Sequence, residues 1–270
     1  MGADLLAVLP PGLADRKQFC ARVDKRPFVQ STRGKLTPKW TQRSGWLTLE
    51  EAISYVGAKI YEGTVSGVGY LVYRNDEKPD LLGGDLDCCR DPTTGMLSEY
   101  AYNLLLKIKP FYTEVSPSEC GIRFFVFGDL GGNSYFEHGP QDDLTEETKA
   151  RIIERKPEVQ KNLDKGQDVW NGLELYAKGR HLSITGDKVA ELCYDTEDRT
   201  AYLPKSEPES EPKTDTTTSF ARGGSLPPVS ILDVVDTRDF KRSGGQLKGP
   251  HPILGSVTGE NLVINPEQNI

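Results

Sequence analysis

The sequence predicts a mixed α+β fold, close to an α/β sandwich, on three observations. Two segments repeat apolar residues at helical spacing, several short runs have the alternation and the β-branched and aromatic content of strands, and this patterning stops near Pro204. With 270 residues the chain can bury a full core, as one large domain or one domain with an appendage.

The elements follow in order. "TLEEAISYVGAKI" opens with a capping box, Thr48 to Glu51, and its positions Leu49, Ala52, Ile53, Val56 and Ile60 make one helical stripe. "VGYLVYR" and "LLGGDLDCC" read as strands, and "MLSEYAYNLLLKIK" as a helix with Leu97, Ala101, Leu104, Leu105 and Ile108 inward. "FYTEVS" and "IRFFVFG" are two further strands, and "LELYAKGRHLSITG" predicts a hairpin turning near Lys178 and Gly179. Between Asp129 and Trp170 a charged, Gly-containing stretch with one helix, about Thr145 to Arg155, reads as an insertion between core strands. Residues 1–203 thus form the main domain. Residues 204–228, "PKSEPESEPKTDTTTSFARGGSLPP", are too polar to fold alone and read as a flexible linker, and 229–270 regain apolar content.

Composition narrows the function classes. No stretch reaches the roughly 18 apolar residues of a membrane span, and "LLAVLPPGL" lacks the length and charged lead of a signal peptide. The five cysteines, an odd number without a C-x-x-C pair, fit a reducing cytoplasm better than a disulfide framework or a structural zinc site. A net charge of −7 argues against a protein that coats nucleic acid over its whole surface. From Arg16 to Arg43, however, nine basic residues, among them Lys25, Arg26, Arg33 and Lys35, face the single acid Asp24, with Phe28 and Trp40 interleaved. That excess reads either as a track for a phosphate backbone or as an ordinary solvated face.

Three clusters carry chemistry. In "GGDLDCC", Asp85 and Asp87 share one face of a strand while Leu86 points into the fold, and two carboxylates so close call for a counter-charge, a divalent cation foremost. In "TEVSPSECGIRFF", Ser116, Ser118 and Gly121 give a hydroxyl-rich turn with amides to cradle an anion, and Arg123 opens the next strand. In "LELYAKGRH", the Glu174 carboxylate leaves the apolar face marked by Leu173 and Leu175, and Arg180 follows across the turn. His181 adjoins Arg180, Tyr176 shares the face of Glu174, and His138 and His251 lie in Gly/Pro-rich surroundings that predict solvated side chains. Carboxylates to hold two ions and arginines to orient a triphosphate are the inventory of a two-metal nucleotidyl transferase.

The three clusters, in this order, resemble the signature regions of the primase-polymerase module of the archaeo-eukaryotic primase superfamily, most closely the replication proteins of phages, plasmids and other mobile elements. The resemblance spans about residues 15–190. It implies an RRM-like catalytic sheet joined to an N-terminal α/β module, and DNA-templated synthesis and extension of primers from dNTPs or NTPs on single-stranded or template-primer DNA. By position, Asp85, Asp87 and Glu174 would be catalytic ligands of Mg²⁺ or Mn²⁺, with Ser116, Ser118, Arg123, Arg180 and His181 at the triphosphate. Lys25, Arg26, Arg33 and Lys35 would meet DNA. Arg123 stands where many members have histidine, and Glu119 replaces the glycine of the usual "SPSG". "GPHPILGSVTGENLVINPEQNI" is similar to a segment that leads into a helicase region in related proteins, so the chain is expected to belong to a longer protein acting in a host cytoplasm. Two alternatives remain: a D-x-D glycosyltransferase, and a non-catalytic DNA-binding module of a replication initiator.

Overall fold

The computed structural model describes residues 5–74, 79–205, 241–243, 246–249 and 262–264. It is a mixed α+β structure with antiparallel sheets, and the chain divides into two compact units, Met1–Lys213 and Thr214–Ile270. Its strands are β1 (Phe19–Val23), β2 (Arg26–Gln30), β3 (Leu36–Thr37), β4 (Lys59–Ile60), β5 (Gly63–Thr64), β6 (Gly67–Val72), β7 (Asp80–Asp87), β8 (Tyr112–Val115), β9 (Ile122–Gly128), β10 (Ser134–His138), β11 (Gly172–Tyr176) and β12 (Arg180–Ile184) in the first unit, and β13 (Lys241–Ser243), β14 (Gln246–Gly249) and β15 (Leu262–Ile264) in the second. The helices are α1 (Leu5–Val8), α2 (Pro11–Ala14), α3 (Leu49–Ser54), α4 (Glu99–Ile108), α5 (Glu146–Arg155) and α6 (Pro157–Leu163).

Two five-stranded antiparallel sheets make the first unit, one in the order β12-β6-β1-β2-β3 and the other β10-β11-β7-β9-β8. Strand alternation assigns the layers. Val68, Tyr70 and Leu182 of the first sheet pack with Leu81, Tyr112, Phe125 and Tyr176 of the second in one core between the sheets. The opposite parity of the second sheet, Leu82, Leu86, Phe124, Val126, Leu173 and Leu175, packs with Ala101, Leu105 and Ile108 of α4. Asp85, Asp87, Arg123 and Glu174 have the parity of Leu81, Phe125 and Tyr176, so they continue the face turned toward the first sheet.

The glycines before the two aspartates have a packing cause. A Cβ on Gly83 would lie 2.7 Å from Leu182 Cδ1 and Val72 Cγ2 of the other sheet, and one on Gly84 2.2 Å from the Phe124 ring. Both positions are filled by neighbours, which fixes the approach of the sheets beside the aspartates.

Three sequence expectations change. The stripe from Leu49 to Ile60 is not one helix: the capping box forms, with Thr48 Oγ1 accepting from the Glu51 amide at 3.2 Å, but α3 ends at Ser54. Gly57 takes φ +86°, and the chain turns into the β4–β5 ribbon, which leaves Val56 exposed and Ile60 in a strand. "LELYAKGRHLSITG" is not a hairpin: β11 pairs with β10 and β7 in one sheet and β12 with β6 in the other. Both edges of β11 are already taken, and Gly179 at φ +78° turns the chain across to the first sheet. Residues 129–170 are more than a charged insertion with one helix, since they supply the edge strand β10 as well as α5 and α6.

Beyond Lys205 the expected linker lies outside the described residues. Of the expected segment 229–270, the described residues form a three-stranded antiparallel sheet, β13-β14-β15. His251 lies outside the described residues. Among the described residues no helix is long and apolar enough to cross a membrane.

Candidate functional site

Cross-strand register builds the site. Asp85 is opposite Glu174 on one side and Arg123 on the other, Arg123 is opposite Glu114, and Phe136 is opposite Glu174. One row across five strands therefore reads Phe136, Glu174, Asp85, Arg123, Glu114, and Asp87 lies one same-face step along β7. Asp85 and Arg123, 38 positions apart in sequence, become neighbours only through this pairing.

All of the row but the buried Glu114 opens, with Asp87, into a cavity of about 950 Å³ that also takes in Ser116, Ser118, Arg180, His181 and Lys25. Arg26, Arg33 and Lys35 do not line it. Arg26 pairs with Glu62 at 2.6 Å, Arg33 and Lys35 are exposed around the β2–β3 turn, and Lys25 reaches Glu158 at 3.9 Å. The basic stretch is thus divided, with one expected residue at the cavity and three away from it.

Each carboxylate is turned to a cation of the chain. Arg123 Nε lies 3.4 Å from Asp85 Oδ1, Lys156 Nζ donates to both oxygens of Asp87 at 2.6 and 2.7 Å, and Arg180 Nη2 donates to Glu174 at 3.3 Å. Tyr176 is nearly buried in the core between the sheets, and its hydroxyl donates to Glu174 at 2.5 Å. Burial pushes the Asp85 carboxyl up to about 6; Arg123 opposes this, and Asp87 and Glu174 add to it. Burial pulls Lys156 down, but Asp87 outweighs it and holds the ammonium above its usual value.

Arg123 also donates from Nη1 to the Ser183 carbonyl at 3.1 Å, so a side chain of β9 ties β12 to the second sheet. Beside it, Glu114 is fully buried and accepts from the Tyr112 hydroxyl and the Thr185 and Gly186 amides at 3.0 to 3.1 Å. Burial pushes its carboxyl up to about 7 against those hydrogen bonds. Its contacts anchor the end of β12 and stiffen the floor below Arg123.

In the Ser116–Gly121 turn, three of the amides expected to cradle an anion bond within the turn. The Ser116 amide bonds to the Gly121 carbonyl, the Glu119 amide to the Ser116 carbonyl and the Cys120 amide to Ser118 Oγ, because the tight turn satisfies them itself. The turn also presents two hydroxyls, 3.0 Å apart. Glu119, at φ +64°, pairs with Arg155 at 2.8 Å, so its charge is compensated at the rim.

Arg180 and His181 both line the cavity although they are adjacent, since β12 begins at Arg180 where the chain leaves the second sheet. Burial, with Arg180, Arg22 and Arg123 nearby, pulls the His181 imidazole down to about 4 against a hydrogen bond with the Lys25 backbone, and it is neutral at pH 7. His138 lies at the end of β10 on the cavity rim and is exposed, so its setting is a strand and not a loop.

Sequence reasoning missed Lys156, Arg155, Phe136 and Glu114, and counted Arg22 only within the basic stretch 16–43. Arg22 of β1 lines the cavity from the first sheet, and Phe136, 60 % exposed, stands 5.6 Å edge-on to Tyr176. A signal for Lys156 was present in "ERKPE": Pro157 ends α5 and forces the preceding residue out of helical geometry, to φ −130° and ψ 78°.

Three carboxylates on neighbouring positions of one face are a hard, all-oxygen donor set of the kind that Mg²⁺ and Mn²⁺ take. Among the described residues no three acidic, thiol or imidazole groups converge on one point as they stand, each acid being turned to its own cation. The donors fit an ion by identity and by the mutual repulsion that raises Asp85; holding one would require Asp87 and Glu174 to turn from Lys156 and Arg180. The chain matches no family model and no curated protein.

Proposed function

We infer that the chain carries out DNA-templated nucleotidyl transfer, as the DNA polymerase and primase module of a mobile-element replication protein in the archaeo-eukaryotic primase superfamily. The observation that carries this reading is the register row: it sets Asp85 beside Glu174, with Asp87 one step along, inside a cavity that also holds Arg123, Arg180 and two serine hydroxyls. The strand order supports an RRM-like sheet. Without the edge strand β10, the second sheet is β11-β7-β9-β8, with α4 between β7 and β8 and two helices between β9 and β11, a βαββαβ arrangement whose central strands bear Asp85, Asp87 and Arg123.

Asp85, Asp87 and Glu174 would hold Mg²⁺ or Mn²⁺. The bound ions would lower the pKa of a primer 3′-hydroxyl and neutralise the leaving pyrophosphate. The other roles belong to the chain's own side chains. Arg123, pinned by the Ser183 carbonyl, presents a fixed guanidinium to phosphate oxygens, and Arg180, half-exposed, approaches from the lip. Ser116 and Ser118 add hydroxyl donors, and the neutral His181 offers a hydrogen bond without charge. The test is incubation with primed template, Mn²⁺ or Mg²⁺ and labelled dNTPs. Asp87→Asn and Glu174→Gln should each abolish extension while circular dichroism is unchanged, and extension at wild-type rate by either variant would overturn the assignment. A nucleotide-sugar enzyme would leave the primer unextended, and so would a binding-only module.

A further inference from the structure

Lys156 comes from the α5–α6 junction, 69 positions from Asp87 in sequence, yet both oxygens of that carboxylate accept from its ammonium at 2.6 and 2.7 Å. Its side chain is only 13 % exposed, while that of Asp87 is 46 % exposed, so the lysine enters from the protein side and leaves the outer face of the carboxylate open to the cavity. The position is rigidly supplied. Pro157 fixes the break between the helices, and Ile152 and Val159 on either side pack with Cys88, Cys120 and Trp170 next to the end of β7. Arg155, the preceding residue, pairs with Glu119 of the serine turn at 2.8 Å. Two consecutive cations, both lining the cavity, thus bind one acid of the site and one of the serine turn.

We propose that Lys156 is a tethered counter-ion: it occupies the cation position on Asp87 while the site is empty, and it transfers its ammonium to the nucleotide's phosphates when a divalent ion arrives with the nucleotide. The proposal rests on the metal-nucleotide reading of the site. The ammonium keeps its proton throughout, and only its partner changes. Charge conservation favours the exchange, because the ion takes over Asp87 while the triphosphate brings negative charge to Lys156. A flexible four-carbon stem permits such a move, whereas the planar fork of an arginine would be fixed on the carboxylate. Lys156 then has two effects of opposite sign: it weakens the ion's binding alone and strengthens the nucleotide's.

Two binding measurements on the full chain test this without catalysis. Mn²⁺ binding is followed by the loss of the free-ion electron paramagnetic resonance signal, and dATP binding by calorimetry in Ca²⁺. Lys156→Met should bind Mn²⁺ alone about tenfold more tightly and dATP about tenfold more weakly than wild type, the order expected for one charge-assisted contact. Unchanged or weaker Mn²⁺ binding would overturn the proposal, and so would tighter Mn²⁺ binding with unchanged dATP binding. Lys156→Gln gives the same two readouts should the methionine variant fail to fold. Asp85→Asn separates the two levels of inference: if it leaves both affinities at the wild-type value, the metal-nucleotide reading itself fails; if it weakens both while Lys156→Met changes neither, only the role of Lys156 fails.

Discussion

Asp85 stores a cost in the folded state, and replacing it should stabilise the protein in a pH-dependent way. Its folded carboxyl titrates near 6 against an ordinary value of 3.8, because burial is compensated only in part by Arg123 and is reinforced by Asp87 and Glu174. Between those values the unfolded chain has released its proton and the folded chain still holds it, so stability falls as pH rises from about 4 and the loss is complete above about 7. At about 1.4 kcal/mol per pH unit the full loss is about 3 kcal/mol, and with the side chain 19 % exposed the figure needs little discount for solvent screening. Asparagine has the shape of the protonated acid, and its carbonyl still accepts from Arg123. Asp85→Asn should therefore match wild type near pH 4 and exceed it by up to about 3 kcal/mol at pH 7.5. Glu114 titrates in an overlapping range, but it is present in both proteins and cancels in the difference. The assay is urea unfolding of both proteins at half-unit steps from pH 4 to 8 in chelator. A difference that does not grow with pH, or a variant less stable than wild type at pH 7.5, would refute the reasoning. Adding Mn²⁺ at pH 7.5 should raise the stability of the wild type and leave the variant nearly unchanged.

Further outcomes follow from the same packing and charges. Gly84→Ala should destabilise by about 1–3 kcal/mol in urea unfolding, since its Cβ would meet the Phe124 ring at 2.2 Å, and Gly83→Ala should do the same through Leu182 and Val72. Arg180→Ala should weaken dATP binding in Ca²⁺ by about tenfold with an unchanged thermal midpoint, because its pair with Glu174 is half-exposed. Arg123→Ala should weaken dATP binding at least as much and also lower the midpoint, since it removes the link from β9 to the Ser183 carbonyl of β12; the two calorimetric measurements together check this. A fragment of residues 1–205 retains Leu203, which is buried against the core that includes α4, and should keep the circular dichroism of the full chain; a random-coil spectrum would show that the fold needs the remainder.

What was legible in the sequence was local. Period-two alternation placed Asp85 and Asp87 on one face of β7, the apolar spacing of α4 gave its buried side, and the Thr48 capping box located the start of α3. The failures share a cause, which is that pattern marks an element but not its partner. Two apolar strands around Lys178 and Gly179 carry the same signal whether they pair with each other or diverge into separate sheets, and only the prior occupation of both edges of β11 decides it. The helical stripe failed differently: Val56 and Ile60 keep the period, but Gly57 can take the left-handed conformation that breaks it, and pairing of β4 with β5 uses that freedom. The same non-locality hid Lys156. Its charge reads as solvated in "ERKPE", and its role depends on which sheet end the α5–α6 core packs against. In this site the recognisable motif residues and the residue that answers their charge come from segments 69 positions apart, so the motif alone overstates how exposed its carboxylates are. Asp85 and Asp87 were expected to call for a divalent ion, and Glu174 either to join them or to pair with Arg180. They stand in ion pairs with the chain's own cations, so on the proposed reading an ion or nucleotide would bind by an exchange of partners, with an affinity set by the difference between two sets of charge contacts.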